Sequence, residues 1–327
     1  MSHPLLEVEN LAVTFSGEEG QMRAVDGISF RADAQRTLAI VGESGCGKSV
    51  TSLAIMGLLA PGSRAEGRIL FRGDDLLAMP ASTRRALRGR DIAMIFQEPM
   101  TCLNPVHRIG DQIVEGLVHR GTPRAEARQR ALEMVRRVKI PAPESRMDAF
   151  PHQLSGGMRQ RVMIAMVLAG DPALVIADEP TTALDVTIQA QILDLMGELR
   201  EGFGMGMILI THDLGVVAET ADDVVIMYAG RIVEAGPVAR IFADPQHPYT
   251  LGLLASVPRL DESHDRLPTI EGSVPPPTAM PPGCRFAPRC PLADARCRTE
   301  VPPAIDFGDG HSAACWRAPL DALEAAE

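Results

Sequence analysis

Gly42-Glu43-Ser44-Gly45-Cys46-Gly47-Lys48-Ser49 is the stretch on which the reading of the fold turns. It fills the pattern G-x-x-x-x-G-K-[ST], in which glycines let the backbone curl until successive N–H groups point inward at phosphate oxygens. The lysine of such a loop reaches the β- and γ-phosphates and the serine hydroxyl reaches Mg²⁺. Gly42, Ser44, Gly45, Cys46, Gly47, Lys48, Ser49 and Val50 are therefore the expected phosphate cradle. The flanks agree. Thr37 to Val41 is an apolar run of strand length, and the residues after the loop predict a helix through Met56, whose N-terminal end adds positive potential. Cys46 inside the loop reads as a small tolerated residue in preference to a redox switch.

Working outward, Leu174-Val-Ile-Ala-Asp178-Glu179-Pro180 is an apolar strand ending in two carboxylates. Strands of a parallel sheet open at their C-terminal ends onto the ligand crevice, which places Asp178 to hold Mg²⁺ through water. Glu179, one residue on, is suited to take a proton from an attacking water as general base. His212 follows the strand Met207 to Ile210 at another strand mouth and is expected to contact a γ-phosphate. Ala127, Ala131, Met134, Val135 and Val138 share one helical face, as do Ile188, Ile192, Leu195 and Leu199. Strands alternating with helices imply an α/β protein with a largely parallel sheet and a helical insert.

Composition narrows the function classes. The 327 residues carry a net charge of -10, whereas nucleic-acid binders show a basic surplus, so no nucleic-acid partner is expected. Of 32 basic residues only Lys48 and Lys139 are lysine, a bias that GC-rich codons produce. No stretch approaches the roughly 20 uncharged apolar residues of a membrane span. Met1 to Glu9 lacks a signal peptide's basic start and apolar core, so the chain is expected to fold in the cytoplasm and to depend on partners for any transport role.

Leu154-Ser155-Gly156-Gly157-Met158-Arg159-Gln160-Arg161 lies between the two sites. Ser-Gly-Gly opening a helix is a second anion site built on a helix N-terminus. A chain with one phosphate loop hardly needs two, unless this one closes on the nucleotide of another subunit.

In order from Phe15 to about Gly236, these residues resemble the ATP-binding cassette (ABC) family. The resemblance implies a P-loop NTPase fold: a RecA-like core, an antiparallel β subdomain and a helical subdomain insert at about 98–170, all within an ATPase domain of residues 1–254. It implies that Phe15 stacks on adenine. Gln97, in Phe96-Gln97-Glu98-Pro99, links Mg²⁺ and water to the membrane partner. Ser155, Gly156 and Gly157 form the signature on the partner's ATP, Asp185 in Thr182-Ala-Leu-Asp185 lies in the inter-subunit loop, and His212 is the switch histidine. Mg²⁺ would fall to Ser49, Gln97 and Asp178, with two ATP molecules sandwiched between two subunits. Met158 stands where glutamine is usual, Thr182 where serine is usual, and Phe15 where tyrosine is common.

The C-terminal quarter, with His247-Pro248-Tyr249-Thr250 and then Leu251, Leu253 and Leu254, looks like the di- and oligopeptide importer ATPases, as does Phe96 to Pro105. That branch implies a five-part importer at the cytoplasmic face of the membrane. Its parts are two different ATPase subunits, two membrane permease subunits and an extracytoplasmic substrate-binding protein. Other cargoes, nickel or glutathione, belong to close relatives. A soluble ABC ATPase of DNA repair or translation would carry a coiled-coil insert or tandem cassettes, which this sequence lacks. A redox-sensing regulator fits poorly with a complete set of catalytic residues.

After a proline-rich stretch from Val274 to Pro282 come Cys284, Cys290, Cys297 and Cys315, separated by five, six and seventeen residues. They mark residues 255–327 as a separate module outside the sheet. Four thiolates at such separations suit zinc or a [4Fe–4S] cluster, and the spacing leaves both open. The resemblance favours the cluster, which some peptide importer ATPases carry in this tail.

Overall fold

The computed structural model describes residues 4–17, 20–97, 102–182, 184–256 and 270–320. Glu98, Pro99 and Ala183, which belong to motifs quoted above, and the stretch 257–269 lie outside the described residues. Two compact units make up the chain: Met1–Ala78 together with Leu209–Glu327, and Met79–Ile208.

The first unit contains an antiparallel sheet in which Leu6–Gly17 lies between Gly20–Ala32 and Arg64–Phe71, with the short Asp74–Asp75 strand outermost. Alternation sets its inner face: Leu6 and Val8 are buried while Glu7 and Glu9 are not. The register shifts between Val8 and Leu11, where Asn10 takes a left-handed φ of 48° and its N–H donates to Ser29 Oγ at 2.8 Å. That bulge lets Val8 and Leu11, an odd number of residues apart, both face inward.

The same unit holds the strand Thr37–Val41, buried along its whole length, as the near-continuous apolar runs of parallel sheets are. It pairs in parallel with Asp223–Tyr228, and that strand pairs antiparallel with Arg231–Pro237. Beneath them Val41, Ile226, Tyr228, Tyr249 and Phe286 belong to one apolar core.

The tail corrects one expectation. It extends the sheet: Ser312–Ala313 pairs with Ala235 and Glu234, and Ile305–Asp306 pairs with Ser312–Ala313 in turn. Phe286 meets the Tyr228 ring edge-on at 5.2 Å, and the buried His311 Nε2 lies 2.8 Å from the buried Glu234 Oε1. The tail from Ile270 thus shares the core of the first unit.

In the second unit Ile92–Ile95 runs parallel to Leu174–Asp178, with every residue of both buried. The helix Gly156–Leu168 packs on Ile92–Ile95, and the helices Ile109–His119, Arg124–Arg137 and Val186–Phe203 pack in turn on that helix. Ala127, Ala131, Met134, Val135 and Val138 are each fully buried, as one helical face requires. Among the described residues no helix is long and apolar enough to cross a membrane.

Candidate active site

The phosphate loop forms as its composition dictates. A Cβ on Gly42 would lie 2.2 Å from the Met227 carbonyl oxygen, and one on Gly47 would lie 2.8 Å from the Ala24 carbonyl oxygen. Those approaches to backbone admit only glycine, and Gly47, at φ 102°, needs it for conformation as well. The helix Lys48–Met56 starts directly at Gly47 with no side chain capping its first amides. Uncapped N–H groups at a nine-residue helix make an anion site. Lys48 is buried, and its Nζ donates to the Gly42 and Glu43 carbonyl oxygens at 2.6 and 3.1 Å, which draws the ammonium across the loop. Ser44, Gly45 and Ser49 are exposed on the loop and Val50 is half-buried. Burial pushes the Cys46 thiol up from its ordinary pKa, which leaves it a poor nucleophile and favours the inert reading.

The remaining expected residues of the first unit stand at strand ends. Phe15 is half-buried near the end of Leu6–Gly17, paired with Met22. His212 is exposed just past Gly206–Thr211. Its neighbour Asp213 caps the next helix, accepting from the Gly215 and Val216 amides at 2.8 and 3.3 Å.

The second unit collects the carboxylates. Asp178 ends its strand and is buried, 5% exposed. Glu179 follows at φ 46°, a left-handed conformation that a non-glycine residue adopts at a cost of about 1–3 kcal/mol. Gln97 Nε2 donates to Glu179 Oε2 at 2.9 Å, and Thr182 Oγ1 donates to the same oxygen at 3.0 Å. The two side-chain donors thus fix the carboxylate of a residue whose backbone is already constrained.

The signature segment is in this unit too. Ser155 caps the helix Gly156–Leu168, its Oγ accepting from the Met158 amide at 3.4 Å. A Cβ on Gly157 would come 2.8 Å from Ile188 Cγ2, so this turn packs on the helix Val186–Phe203. Asp185 caps that helix through Oδ1, accepting from Ile188 N at 3.0 Å. The sequence assigned no role to Gln160, which is fully buried and donates to the Pro180 carbonyl at 2.5 Å. It ties the signature helix to the loop carrying Glu179. A lone buried amide on an apolar helix face was the only available signal for it.

Ser49, Gln97 and Asp178, the residues expected from the resemblance to hold Mg²⁺, each carry a hard oxygen donor of the kind that ion takes. Among the described residues no three His, Cys, Asp or Glu side chains are gathered to hold a metal ion by themselves. The tail thiols are neighbours short of that. Burial pushes the Cys290 thiol up to about 11, with further contributions from Cys284, Cys315 and Cys297. Burial likewise raises Cys284, Cys297 and Cys315. The Arg317 amide donates to Cys315 Sγ at 3.3 Å.

A glycine cradle on a strand-to-helix turn and a strained, doubly anchored glutamate after a buried aspartate define a nucleoside-triphosphate hydrolase of the P-loop class. Comparison with known proteins gives the family. Residues 25–182 match the ABC transporter family and residues 233–297 match the oligopeptide/dipeptide transporter C-terminal region. A Brucella abortus (strain 2308) protein bearing the name peptide import ATP-binding protein is 52% identical over 314 residues, 95% of this chain and 94% of its own. One of the same name from Brucella ovis is 52% identical over 328 residues, 96% and 97% of the two chains. The dimeric structure of a bacterial ABC transporter cassette matches with TM-score 0.63 and 26% identity over 71% of this chain and 98% of that one. The cbiO1 protein of Clostridium perfringens, part of an ABC transporter complex, matches with TM-score 0.64 and 30% identity over 74% and 92%. The chain belongs to the ABC transporter ATPases, in the branch that carries the oligopeptide/dipeptide C-terminal region.

Proposed function

We propose that this chain binds and hydrolyses MgATP to drive import of di- or oligopeptides through a membrane transporter. The observation that carries the catalytic part is Glu179, strained and held through Oε2 by Gln97 and Thr182. The peptide cargo rests on the relatives' names and on the matched C-terminal region.

In this reading Lys48, Ser49 and Asp178 take the phosphates and Mg²⁺, with Gly42, Ser44, Gly45, Cys46, Gly47 and Val50 shaping the cradle. Phe15 stacks on the base. Glu179 deprotonates the attacking water, Gln97 holds that carboxylate in place, and His212 steadies the γ-phosphate. Ser155, Gly156 and Gly157 close on the nucleotide of a second ATPase subunit, with Asp185 at that junction. The dimeric cassette among the structural relatives supports such an arrangement. Two permease subunits, a heterodimeric partner ATPase, an extracytoplasmic substrate-binding protein and a peripheral place at the cytoplasmic membrane face complete it. Met94, Ile95, Phe96, Met163 and Met166 line an apolar cleft of about 300 Å³ beside Gln97, and Phe96 is 42% exposed, which supports a membrane subunit seated there.

Residues 1–254 serve as the ATPase domain, with a helical subdomain at about 98–170, and 255–327 as the C-terminal module. By donor chemistry the four tail thiols are the soft ligands that a [4Fe–4S] cluster, or zinc as the alternative, would take, and Cys290 lies near enough to Cys284, Cys297 and Cys315 to interact with them. ATPase turnover of the purified chain and its Glu179→Gln variant tests the catalytic part: a fall of about 10²–10⁴-fold is expected and near-normal turnover refutes it.

A further inference from the structure

Glu43, the second residue of the phosphate loop, is gripped from three directions. Its backbone N–H donates to Tyr249 Oη at 3.0 Å, and its carbonyl oxygen accepts from Lys48 Nζ at 3.1 Å. Its carboxylate receives Arg289 Nη1, at 3.1 Å on Oε1 and 2.9 Å on Oε2. The Arg289 side chain is only 6% exposed, and that of Glu43 29%, so the pair is shielded far more than a surface ion pair.

No direction of the guanidinium is idle. Nε donates to the Glu271 carbonyl at 2.9 Å, Nη2 to the Ile270 carbonyl at 3.0 Å, and Nη1 also reaches Tyr228 Oη at 3.3 Å. Its Cζ lies over the rings of Tyr228 and Phe286, 5.7 and 6.0 Å from their centroids. A planar fork with five donors suits such a junction, and a lysine ammonium would fill only part of it. Both tyrosines of the chain stand at this junction. Arg289 comes from the tail, between Cys284 and Cys290.

We propose that Arg289 is a positioning residue for the phosphate loop: through Glu43 it sets the loop, and with it Lys48, in the shape that receives the triphosphate. The inference rests on the ATP-binding reading above. It also makes nucleotide affinity depend on the fold of the cysteine-bearing tail. Loss of the guanidinium frees the Glu43 side chain, and the loop must then be ordered by the nucleotide itself, which weakens binding. Chemistry at Glu179 is untouched, so the effect falls on affinity and KM, with kcat preserved.

The experiment measures MgATP binding and steady-state hydrolysis by the purified full-length chain and its Arg289→Ala, Arg289→Lys, Glu43→Gln and double Arg289→Ala/Glu43→Gln variants. Arg296→Ala serves as a tail control, because among the described residues Arg296 pairs with Glu300 and Trp316, both in the tail, and with no residue of the loop. Arg289→Ala is expected to raise Kd and KM by about five- to twenty-fold with kcat within about twofold, the scale of a lost charged hydrogen bond felt through one neighbour. Arg289→Lys should recover part of that loss, the double variant should bind no worse than Arg289→Ala, and Arg296→Ala should match the parent. Should Arg289→Ala fail to fold, Arg289→Lys and Glu43→Gln carry the same test. Unchanged Kd in folded variants, or equal losses in kcat and KM that lysine does not rescue, overturns the anchor. A parent chain that binds no MgATP removes the ATPase reading itself and the anchor with it.

Discussion

Gln97 and Glu179, 82 residues apart in sequence, share a hydrogen bond of 2.9 Å from Nε2 to Oε2. Thr182 supplies a second donor to that oxygen, and the left-handed Glu179 backbone aims the side chain. A general base must be held in one direction as well as be basic. The strand end supplies the position, and the amide and hydroxyl supply the orientation, that the role proposed for Glu179 requires.

Gly42→Ala should abolish MgATP binding. The added methyl would sit 2.2 Å from the Met227 carbonyl oxygen, a contact that only backbone movement relieves. A fluorescent ATP analogue titrated against folded variant checks this, with no saturable binding expected.

Gln160→Leu tests the tie between the signature helix and the catalytic loop. It strips the Pro180 carbonyl of its buried donor, an effect of about 1–3 kcal/mol on stability. Slackening of the loop should lower kcat about tenfold, equivalent to about 1.4 kcal/mol, while KM stays within about twofold. Thermal unfolding and steady-state kinetics read the two effects separately.

Acid sensitivity should trace to His247. Burial holds its pKa down to about 3, and its ring Nδ1 accepts from the Tyr249 amide at 3.1 Å. In the folded chain it stays neutral, while in the unfolded chain it takes a proton near its ordinary pKa of about 6.5. Below that value the unfolded state binds more protons, so stability falls with pH, by about 2 kcal/mol from this residue between pH 6.5 and 5. His247→Asn keeps a capping acceptor and should flatten that limb of a denaturant-midpoint profile.

The cluster proposed for the tail thiols is tested by metal analysis. Anaerobically purified protein should contain iron and acid-labile sulfide, lost together when Cys284, Cys290, Cys297 and Cys315 are replaced. Stoichiometric zinc without iron would identify the alternative centre.

What was legible in the sequence was local. Gly42 to Ser49 spells its own loop, because each residue acts on phosphate through backbone or side chain at its own position, and the run into Asp178 and Glu179 reads as a strand end for the same reason. Contacts made by distant partners left no such trace. Arg289 lies 246 residues from Glu43, and nothing in the spacing of the nearby cysteines announces that it reaches back. The left-handed backbone of Glu179 is set by its surroundings and by no glycine, so no residue type signals it. The tail's strands, two residues each, are too short for alternation to show, which is why a proline-rich, cysteine-bearing segment reads as separate until its pairing with Ala235 and Glu234 is seen.

Uptake of labelled di- and tetrapeptides by cells carrying either this chain or its Glu179→Gln variant, with the rest of the transport system intact, tests the central claim most directly. Collapse of uptake for at least one peptide in the variant, at equal protein levels, is the expected result, and the peptide affected gives the size preference. Unchanged uptake of both peptides, alongside lost ATPase activity, would contradict the claim that hydrolysis at Glu179 drives peptide import.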